Sequence, residues 1–301
     1  MSETDKYPSI YIVILNWNSY TDIFECISSL NNITYPNYKI VIVDNASDEN
    51  IINKIEAMLD KTVHIIKNHI NLGFSGGNNV GIKYALANNA DFVLLLNNDT
   101  IVEIDFLDEM IKTAFLKPKA GIIGPLIAFY SNKESIWSAY GFVSKIKSSG
   151  FTRMMNKNIN LVKKDKECNF LSGCCLLVRR DVIEKIGLLD EKYFLYLEDT
   201  DFCWRTTKAG FKIVLAAKSK IYHKVSASTA RENSLMPLYY AVRNRLYFAK
   251  KNFGVLFYLS YWYLILTMKI KLLTDQQKVK KRAIFTRAIS DFNKNIMGQA
   301  F

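Results

Sequence analysis

The feature that most constrains the fold is the stretch Asp91–Thr100, where an uninterrupted apolar run passes directly into polar residues. Phe92–Leu96 carries no charge and no alternation, which is typical of a strand buried on both faces of a parallel sheet. Asn97, Asn98 and Asp99 then fall at the carboxyl end of that strand, where open α/β sheets bind ligands. If the chain stays extended, Asn97 and Asp99 project to the same side. The competing interpretation is a turn, which Asn and Asp favour.

Apolar runs and amphipathic segments alternate between residues 9 and 96, as they do in chains that form parallel sheets with helical crossovers. The apolar runs predict strands at Ile10–Leu15, Lys39–Val43, Val63–Ile66 and Phe92–Leu96. A first helix follows Asp22 and Glu25, which resemble a capping box. We therefore expect an α/β fold in which helices flank a mostly parallel sheet.

The glycine-rich run Gly73–Asn79 predicts a loop that opens a helix toward Leu86. It has neither the Gly-Lys-Ser/Thr of a P-loop nor the Gly-x-Gly-x-x-Gly spacing of a dinucleotide-binding fold. Its glycines nevertheless permit close approach of the backbone to a ligand. We expect this loop to contribute to a binding site.

The periodicity fades after Pro125, and residues 126–168 predict irregular strands and loops. Regular elements return at Gly173–Val178, Phe202–Ala209, Lys212–Ala216 and Ser219–Tyr222. We divide the chain into one α/β domain at residues 1–240 and a basic, apolar helical segment at residues 241–301. Within the domain, we expect the two halves 1–124 and 125–240 to have different roles.

The net charge of +12 is concentrated at the carboxyl end of the chain. Residues 243–301 contain twelve Lys or Arg against two acidic residues, Asp275 and Asp291. Within this segment, Phe253–Met268 is uncharged and rich in Leu, Tyr and Trp. It is shorter than the roughly 20 apolar residues of a spanning helix, but long enough to lie in a membrane interface.

The basic run Lys278–Arg282 would then face anionic lipid headgroups. The alternative is a buried core helix followed by a solvated basic helix. Nucleic acid is not an expected partner, because the basic residues accompany a long apolar stretch and not isolated stacking aromatics.

Cysteine usage and the N-terminal segment favour a cytoplasmic protein. The five cysteines form no paired C-x-x-C set, and their odd number argues against a closed disulfide framework. Met1–Pro8 is polar and lacks the apolar core of a signal peptide.

Three sets of carboxylates stand at strand ends or helix starts, namely Asp44, Asp99 and the pair Glu198 and Asp199. Each has a structural explanation when taken alone, since Asp44 begins a turn-like string and Asp199 could cap a helix. Their joint placement favours a functional site. Among the histidines, His223 ends a predicted strand and is the one we consider as a metal ligand, with a purely structural role as the alternative.

With these residues in order, the chain resembles family 2 glycosyltransferases of the GT-A fold, particularly the rhamnosyltransferase-like branch of bacterial surface-polysaccharide synthesis. The resemblance extends from residue 10 to about residue 250. It rests on an ordered series of motifs at Val13–Asn18, Val43–Ser47, Asn71–Asn79, Leu95–Thr100, Gly187–Asp190, Tyr196–Asp201 and His223.

The resemblance implies that Asp44 contacts a pyrimidine base, that Asn97-Asn98-Asp99 stands for the Asp-x-Asp motif, and that Asp199 is the catalytic base. Because Asn97 replaces the first Asp of that motif, Asp99 becomes the main carboxylate for Mg²⁺ or Mn²⁺ and His223 the second ligand. The expected nucleotide-sugar site is completed by Asn16, Gly76 and Asn79. The candidate contacts of a diphosphate or an acceptor are Glu198 and Arg243. Arg243 belongs to the run Arg243-Asn244-Arg245, which would neutralise a diphosphate on the donor or on a lipid acceptor, with a surface role as the alternative.

The function that the resemblance implies is inverting transfer of rhamnose from dTDP-rhamnose to a lipid-linked oligosaccharide at the inner face of the cell membrane. It makes residues 1–124 the nucleotide-sugar-binding half and residues 125–240 the acceptor half. The Gln-x-x-Arg-Trp motif of processive synthases is not in the sequence, which favours transfer of one or a few sugars. The alternatives are a UDP-sugar transferase, a nucleotidyltransferase, and a basic peripheral membrane-binding protein with a degenerate transferase domain.

Overall fold

A computed structural model describes residues 7–59, 63–225, 235–274 and 276–300 of the chain. The first six residues of the polar N-terminal segment lie outside the described residues, and so does Asp275 of the basic C-terminal segment.

The first half of the chain forms the parallel part of one central sheet. Its strands stand in the order β3-β2-β1-β4 and are β1 (Ile10–Asn16), β2 (Tyr38–Asp44), β3 (His64–Lys67) and β4 (Phe92–Asn97). Because β1 lies between β2 and β4, the strand order reverses beside it. Such a reversal creates a crevice at the carboxyl ends of the strands, where ligands of α/β proteins bind.

The second half of the chain extends the same sheet with mixed directions. β11 (Cys175–Arg179) runs antiparallel between β4 and β6 (Ala120–Phe129), and β12 (Lys212–His223) runs parallel to β6. Antiparallel partners at the margins are β5 (Thr100–Val102), β7 (Asn132–Ser138) and β10 (Lys166–Cys168). A separate hairpin pairs β8 (Gly141–Ser144) with β9 (Ser149–Thr152). The expected parallel arrangement therefore describes the first half of the sheet, and the whole sheet is mixed.

Helices cover the sheet and form the C-terminal segment. Those connecting the parallel strands are α1 (Thr21–Leu30), α2 (Glu49–Met58) and α3 (Gly73–Ala87). Those of the second half are α4 (Phe106–Leu116), α5 (Arg180–Ile186) and α6 (Glu198–Lys208), and the last three are α7 (Met236–Asn252), α8 (Leu256–Thr274) and α9 (Lys278–Asn293). The expected capping box of α1 is wrong, because no side chain caps this helix and Asp22 instead accepts a hydrogen bond from Ser19 Oγ.

The core consists of two apolar layers, one on each face of the sheet. Ile10, Ile12 and Ile14 of β1 point into one layer, and Tyr11 and Val13 point into the other. Burial on both faces explains why the central strands are continuous apolar runs. The cysteines are free thiols, four of them buried, as expected without a disulfide framework.

The glycine-rich run Gly73–Asn79 is not a loop but the first two turns of α3. A Cβ atom on Gly77 would lie 2.3 Å from Leu15 Cδ1, and one on Gly81 would lie 2.3 Å from Val13 Cγ1. The missing side chains let α3 pack tightly against β1. The glycines thus allow α3 to contact the sheet closely. The prediction of a loop was wrong because glycine has a low helix propensity and the packing against β1 could not be seen from the local sequence.

The last three helices pack into an apolar cluster of their own, which also includes Phe194, Leu195 and Tyr196. Among the described residues, α8 is the one helix long and apolar enough to span a membrane by length and composition, and only 17% of its apolar window is buried. A buried core helix is therefore excluded. The expected boundaries at 124/125 and 240/241 fall inside β6 and α7.

Candidate active site

Asn16 connects the ends of three parallel strands at the switch point. It is buried at the end of β1, and the register places it opposite Asp44 of β2. Its Nδ2 donates to Asp44 Oδ1 at 3.4 Å, and its Oδ1 accepts from Asn98 Nδ2 at 2.9 Å. Three residues singled out from the sequence therefore form one polar network at the carboxyl edge of the sheet.

Asp44 also makes the turn contact that its sequence suggests, because its Oδ2 accepts from the backbone N–H of Ser47 at 3.0 Å. A carboxylate offers about four acceptor positions, so these two protein donors do not exhaust it. The buried carboxylate can accept a further N–H from a ligand in the crevice.

The chain turns at Asn98–Asp99 and does not stay extended, so of the two interpretations of this stretch the turn is confirmed. The turn leads directly into β5, whose first residue Thr100 pairs with His223 of β12. This pairing brings His223 Nε2 to 3.0 Å from Asp99 Oδ1, with both side chains buried. Two residues 124 positions apart in the sequence are thereby joined at the strand ends.

The Asp99–His223 pair fits a divalent cation that the substrate helps to bind. Among the described residues, no group of three or more His, Cys, Asp or Glu is arranged to hold a metal ion alone. Mg²⁺ is commonly bound by one or two protein carboxylates together with substrate phosphates and water. A carboxylate and an imidazole facing each other meet that requirement once a diphosphate supplies the remaining oxygens.

Asp199 lies in the first turn of α6, which begins four residues earlier than predicted. Its Oδ2 accepts from the backbone N–H of Gly173 at 3.0 Å, and its Oδ1 accepts from that of Thr200 at 2.6 Å. The next residue, Cys174, accepts at its carbonyl oxygen from the N–H of Asn97 at 2.9 Å. Gly173–Cys174 therefore connects Asp199 directly to the end of β4.

Burial changes the protonation of the Glu198–Asp199 pair. Burial, together with the neighbouring Asp199 charge, raises the pKa of Glu198 to about 8. Burial also raises the pKa of Asp199, while the N–H groups of Gly173 and Thr200 oppose that rise. Glu198 Oε2 has no hydrogen-bond partner within the described chain. At neutral pH Glu198 is therefore mainly protonated, and the raised pKa of Asp199 makes its carboxylate a stronger proton acceptor.

The segment that leads into Asp199 has an unusual backbone. Phe194, Tyr196 and Leu197 have φ values of +57°, +69° and +74°. Such values are rare for bulky side chains and cost about 1–3 kcal/mol each. Asn244 of α7 offsets this cost, because its Nδ2 donates to the carbonyl oxygens of Tyr193, Leu195 and Tyr196 at 2.9, 2.8 and 2.9 Å.

The structure places three other residues of the predicted site in packing roles. Asn79 is buried, and its amide binds Leu189 and Glu191. Gly76 lies within α3, where a Cβ would approach Leu72 to 2.8 Å. Arg243 is fully buried between two tyrosine rings and donates to the carbonyl oxygen of Gly298, so it does not reach the cleft beside Asp199.

That cleft has a volume of about 580 Å³. The residues that line it are Ser149, Gly150, Phe170, Tyr196, Leu197, Asp199, Thr200, Pro237, Ala241 and Arg245. Asp199 was predicted from the sequence, and Arg245 belongs to the candidate run Arg243-Asn244-Arg245, but the other residues of the cleft lining were not singled out. The signal available for Asn244 and Arg245 was the polar run Arg243-Asn244-Arg245 in the middle of α7.

Comparisons with known proteins agree with this arrangement. The family described as glycosyltransferase-like family 2 matches residues 8–245. A low-salt glycan biosynthesis hexosyltransferase of Haloferax volcanii is 29% identical over 239 residues, covering 78% of this chain and 73% of that protein. A dTDP-rhamnosyl transferase of Shigella flexneri is 23% identical over 252 residues, covering 81% of each. The solved structure of a mannosyltransferase of Pyrobaculum calidifontis in complex with GDP-Man and Mn²⁺ has the same fold. The TM-score is 0.61 at 13% sequence identity, and the match covers 96% of this chain and 88% of that one.

Proposed function

Because this chain belongs to glycosyltransferase-like family 2, we propose that it is an inverting enzyme that transfers rhamnose from dTDP-rhamnose to a lipid-linked glycan. Glycosyl transfer and the GT-A fold follow from the family and from the structural neighbours. The donor, the acceptor and the stereochemistry are the proposal. The observation that carries it is the convergence of Asp44, the Asp99–His223 pair and Asp199 at one edge of the sheet.

The nucleoside would bind where Asp44 is held by Asn16. A buried carboxylate that still has acceptor capacity suits the N3–H of a pyrimidine, which thymine and uracil both present. The name of the Shigella relative supports a dTDP-sugar donor. Asn98 would reach the ribose or the diphosphate from the other side of the Asn16 network.

Asp99 and His223 would hold Mg²⁺ or Mn²⁺ at the diphosphate. The Mn²⁺ bound to the mannosyltransferase of the same fold supports this assignment. When bound, the cation neutralises charge on the departing nucleoside diphosphate. No protonating acid is then required at the leaving group.

Asp199 would act as the general base. Its carboxylate takes the proton of an acceptor hydroxyl while that oxygen attacks the anomeric carbon from the face opposite the diphosphate. The new glycosidic bond forms as the bond to the diphosphate oxygen breaks and the nucleotide leaves with the electron pair, so the configuration inverts. The N–H groups of Gly173 and Thr200 fix the carboxylate at the wall of the cleft.

We also place the enzyme on the inner face of the cell membrane, through α8 and the basic residues around it. One face of α8 exposes Tyr258, Trp262 and Leu273. Lys269, Lys271 and Lys278–Arg282 follow along the same segment. Apolar side chains beside clustered lysines are typical of a surface that lies in an anionic lipid interface.

The test is thermal stabilisation by dTDP, UDP and GDP, each with and without Mn²⁺, in the wild type and in Asp99→Ala. We expect a pyrimidine diphosphate to raise Tm more with Mn²⁺ than without it, and the metal-dependent part to disappear in Asp99→Ala. Asp105→Ala is the matched control, because this exposed carboxylate caps no helix through its side chain. If the folded wild type shows no shift with any pyrimidine diphosphate, the proposed donor site is wrong. A shift with UDP alone would replace dTDP-rhamnose by a UDP-sugar.

A further inference from the structure

We propose that Arg245 binds a phosphate group of the lipid-linked acceptor, and that the hydrocarbon chain of this acceptor lies along an exposed apolar stripe of α8. The inference rests on the proposed function, which it deepens by assigning an acceptor site. Three observations carry it: the position of Arg245 in the cleft, the absence of a carboxylate partner for it in the described chain, and its connection to α8.

Arg245 lies on the face of α7 that forms one wall of the Asp199 cleft. Pro237, Ala241 and Arg245 are spaced four residues apart, so they lie on one side of the helix and all line the cleft. A group bound by Arg245 would therefore share the cleft with the proposed base, Asp199. This is where an acceptor that delivers a hydroxyl to Asp199 has to bind.

The guanidinium of Arg245 is held in place and is not neutralised by the described residues. Its Nε donates to the carbonyl oxygen of Lys147 at 2.7 Å. Its two terminal nitrogens make no hydrogen bond and no ion pair with any residue that the structure describes. Of the seven other arginines that the structure describes, four have carboxylate partners, in the pairs Arg179–Asp181, Arg180–Glu184, Arg205–Asp201 and Arg287–Asp291.

Burial lowers the pKa of Arg245, which reflects the cost of removing this cation from water without a compensating anion. An anionic ligand would remove that cost. The planar guanidinium with two free terminal nitrogens matches the oxygens of a phosphate in a bidentate arrangement.

A continuous path leads from Arg245 to the apolar surface of α8. The turn of the β8–β9 hairpin connects the two, because the Lys147 carbonyl binds Arg245 and the Lys145 carbonyl accepts from Ser260 Oγ of α8 at 2.6 Å. Tyr263 of α8 is also close enough to interact electrostatically with Arg245.

Tyr263 shares its side of α8 with a row of exposed apolar residues. Leu259, Leu266 and Ile270 are 60%, 60% and 56% exposed, and with Tyr263 they follow the spacing of one helical stripe. Lys145 and Lys147 add two positive charges to the hairpin turn that connects Arg245 with α8. An anionic headgroup would pair with the guanidinium of Arg245, and a hydrocarbon tail would cover the exposed apolar stripe of α8.

The experiment measures binding of farnesyl diphosphate, farnesol and inorganic pyrophosphate by calorimetry, in EDTA so that metal-dependent binding at Asp99 and His223 does not contribute. We expect the wild type to bind farnesyl diphosphate at least about tenfold more tightly than either of the other two probes. Arg245→Gln should weaken farnesyl diphosphate by about tenfold or more, which is the range for loss of a charge-assisted hydrogen bond. Binding of farnesol should not change.

Three variants complete the design. Arg245→Lys, which keeps the charge but not the fork, should recover part of the affinity. Leu266→Gln should weaken farnesyl diphosphate but leave pyrophosphate unchanged. Lys218→Gln removes one positive charge from an exposed site in a different cleft and should behave as the wild type.

The inference is overturned if Arg245→Gln binds farnesyl diphosphate as tightly as the wild type. It is also overturned if pyrophosphate alone binds the wild type as tightly as farnesyl diphosphate, because the site would then recognise a free anion and no lipid. The Tm of each variant and its shift with dTDP and Mn²⁺ show whether the donor site is intact. Failure of nucleotide binding in the wild type would refute the proposed donor while leaving the result at Arg245 interpretable.

Discussion

Replacing Asn244 by leucine should separate positioning of the proposed base, Asp199, from binding of the donor. Leucine has nearly the same shape as asparagine but cannot donate to the carbonyl oxygens of Tyr193, Leu195 and Tyr196. Asn244 is fully buried, so water cannot easily replace the lost donor. The change therefore acts on the strained segment that precedes Asp199, through contacts about 50 residues away in the sequence.

The expected loss of stability follows from the two hydrogens of one amide nitrogen. They amount to about two full hydrogen bonds shared among three carbonyl oxygens, and leaving buried acceptors unsatisfied costs about 1–3 kcal/mol each. We expect a loss of about 2–4 kcal/mol in the free energy of unfolding. For a chain of this size, about 2 °C per kcal/mol converts this into a fall of Tm by about 4–8 °C.

The effect on catalysis should be larger than the effect on donor binding. Without Asn244, the positive-φ conformation of Phe194, Tyr196 and Leu197 loses its support, and Asp199 lies only two residues after Leu197. A misplacement of about 1 Å in a reacting group can cost about 100-fold in rate, so kcat should fall by about 10- to 100-fold. The KM for the donor should stay within about twofold, because Asp44 and Asp99 lie on other elements.

The assay is initial-rate kinetics together with thermal unfolding, with Asn252→Leu as the matched control. Asn252 is on the same helix, but its amide donates to Phe248 of its own helix and only at 3.4 Å to Asp201. Asn252→Leu should lower Tm by less than half as much as Asn244→Leu does, and it should leave kcat nearly unchanged. If Asn244→Leu lowers Tm while kcat stays at the wild-type value, Asn244 supports folding but does not position Asp199. If Tm does not fall at all, the hydrogen-bond reasoning itself is refuted.

Three further predictions address the pH dependence of stability, the packing of α3 and the surface of α8. Burial raises the pKa of Glu198 to about 8 in the folded protein, so folding favours the protonated carboxyl. The free energy of unfolding of the wild type should therefore decrease as the pH rises from the ordinary pKa of a glutamate toward 8. The Tm of Glu198→Gln minus that of the wild type should therefore increase from pH 5 to pH 8, and parallel Tm curves would contradict the assignment. Gly77→Ala should destabilise the protein by about 1–3 kcal/mol in chemical unfolding, because its Cβ would lie 2.3 Å from Leu15 Cδ1. An unchanged free energy of unfolding would show that α3 moves freely on β1. Trp262→Ser with Leu266→Ser should weaken binding to phosphatidylglycerol vesicles by about tenfold or more in a sedimentation assay, because both side chains are more than half exposed on α8. Leu161→Ser, a similarly exposed leucine on another surface, should have no such effect, and equal losses in both proteins would rule out a specific membrane surface.

The parts of the site that the sequence predicts are those where a strand and its functional residue are neighbours in the chain. Asn16, Asp44 and Asn97 each end an apolar run, so the local pattern locates both the strand and the polar side chain. The turn at Asn98–Asp99 was one of two open interpretations, because composition alone does not distinguish it from an extended chain. His223 was a candidate from its position at a strand end, but its contact with Asp99 depends on the pairing of β5 with β12.

The parts that the sequence does not predict depend on contacts between distant segments. Gly77 resembles a loop residue until Leu15 is placed beside it. Asn244 and Arg245 belong to a basic run whose local pattern left a diphosphate contact and a surface role open. In the structure Asn244 holds the segment before Asp199, and Arg245 lines the cleft beside it. Arg243 shows the reverse case. Its charge suggested a ligand contact, and it is buried between Tyr239 and Tyr240.

Contacts of the C-terminal segment hold the backbone around Asp199, although the family match ends at residue 245. Lys251 binds both Asp190 and Asp201, on either side of the strained segment. Tyr239 of α7 donates to Asp291 of α9 at 2.6 Å, so α9 in turn holds α7. Deleting residues 250–301 should therefore abolish transfer and lower Tm even when the acceptor is supplied in detergent, where membrane binding is not needed. If the shortened protein kept the kcat of the full chain under those conditions, α7 would not depend on the last two helices, and the segment would be a membrane anchor alone.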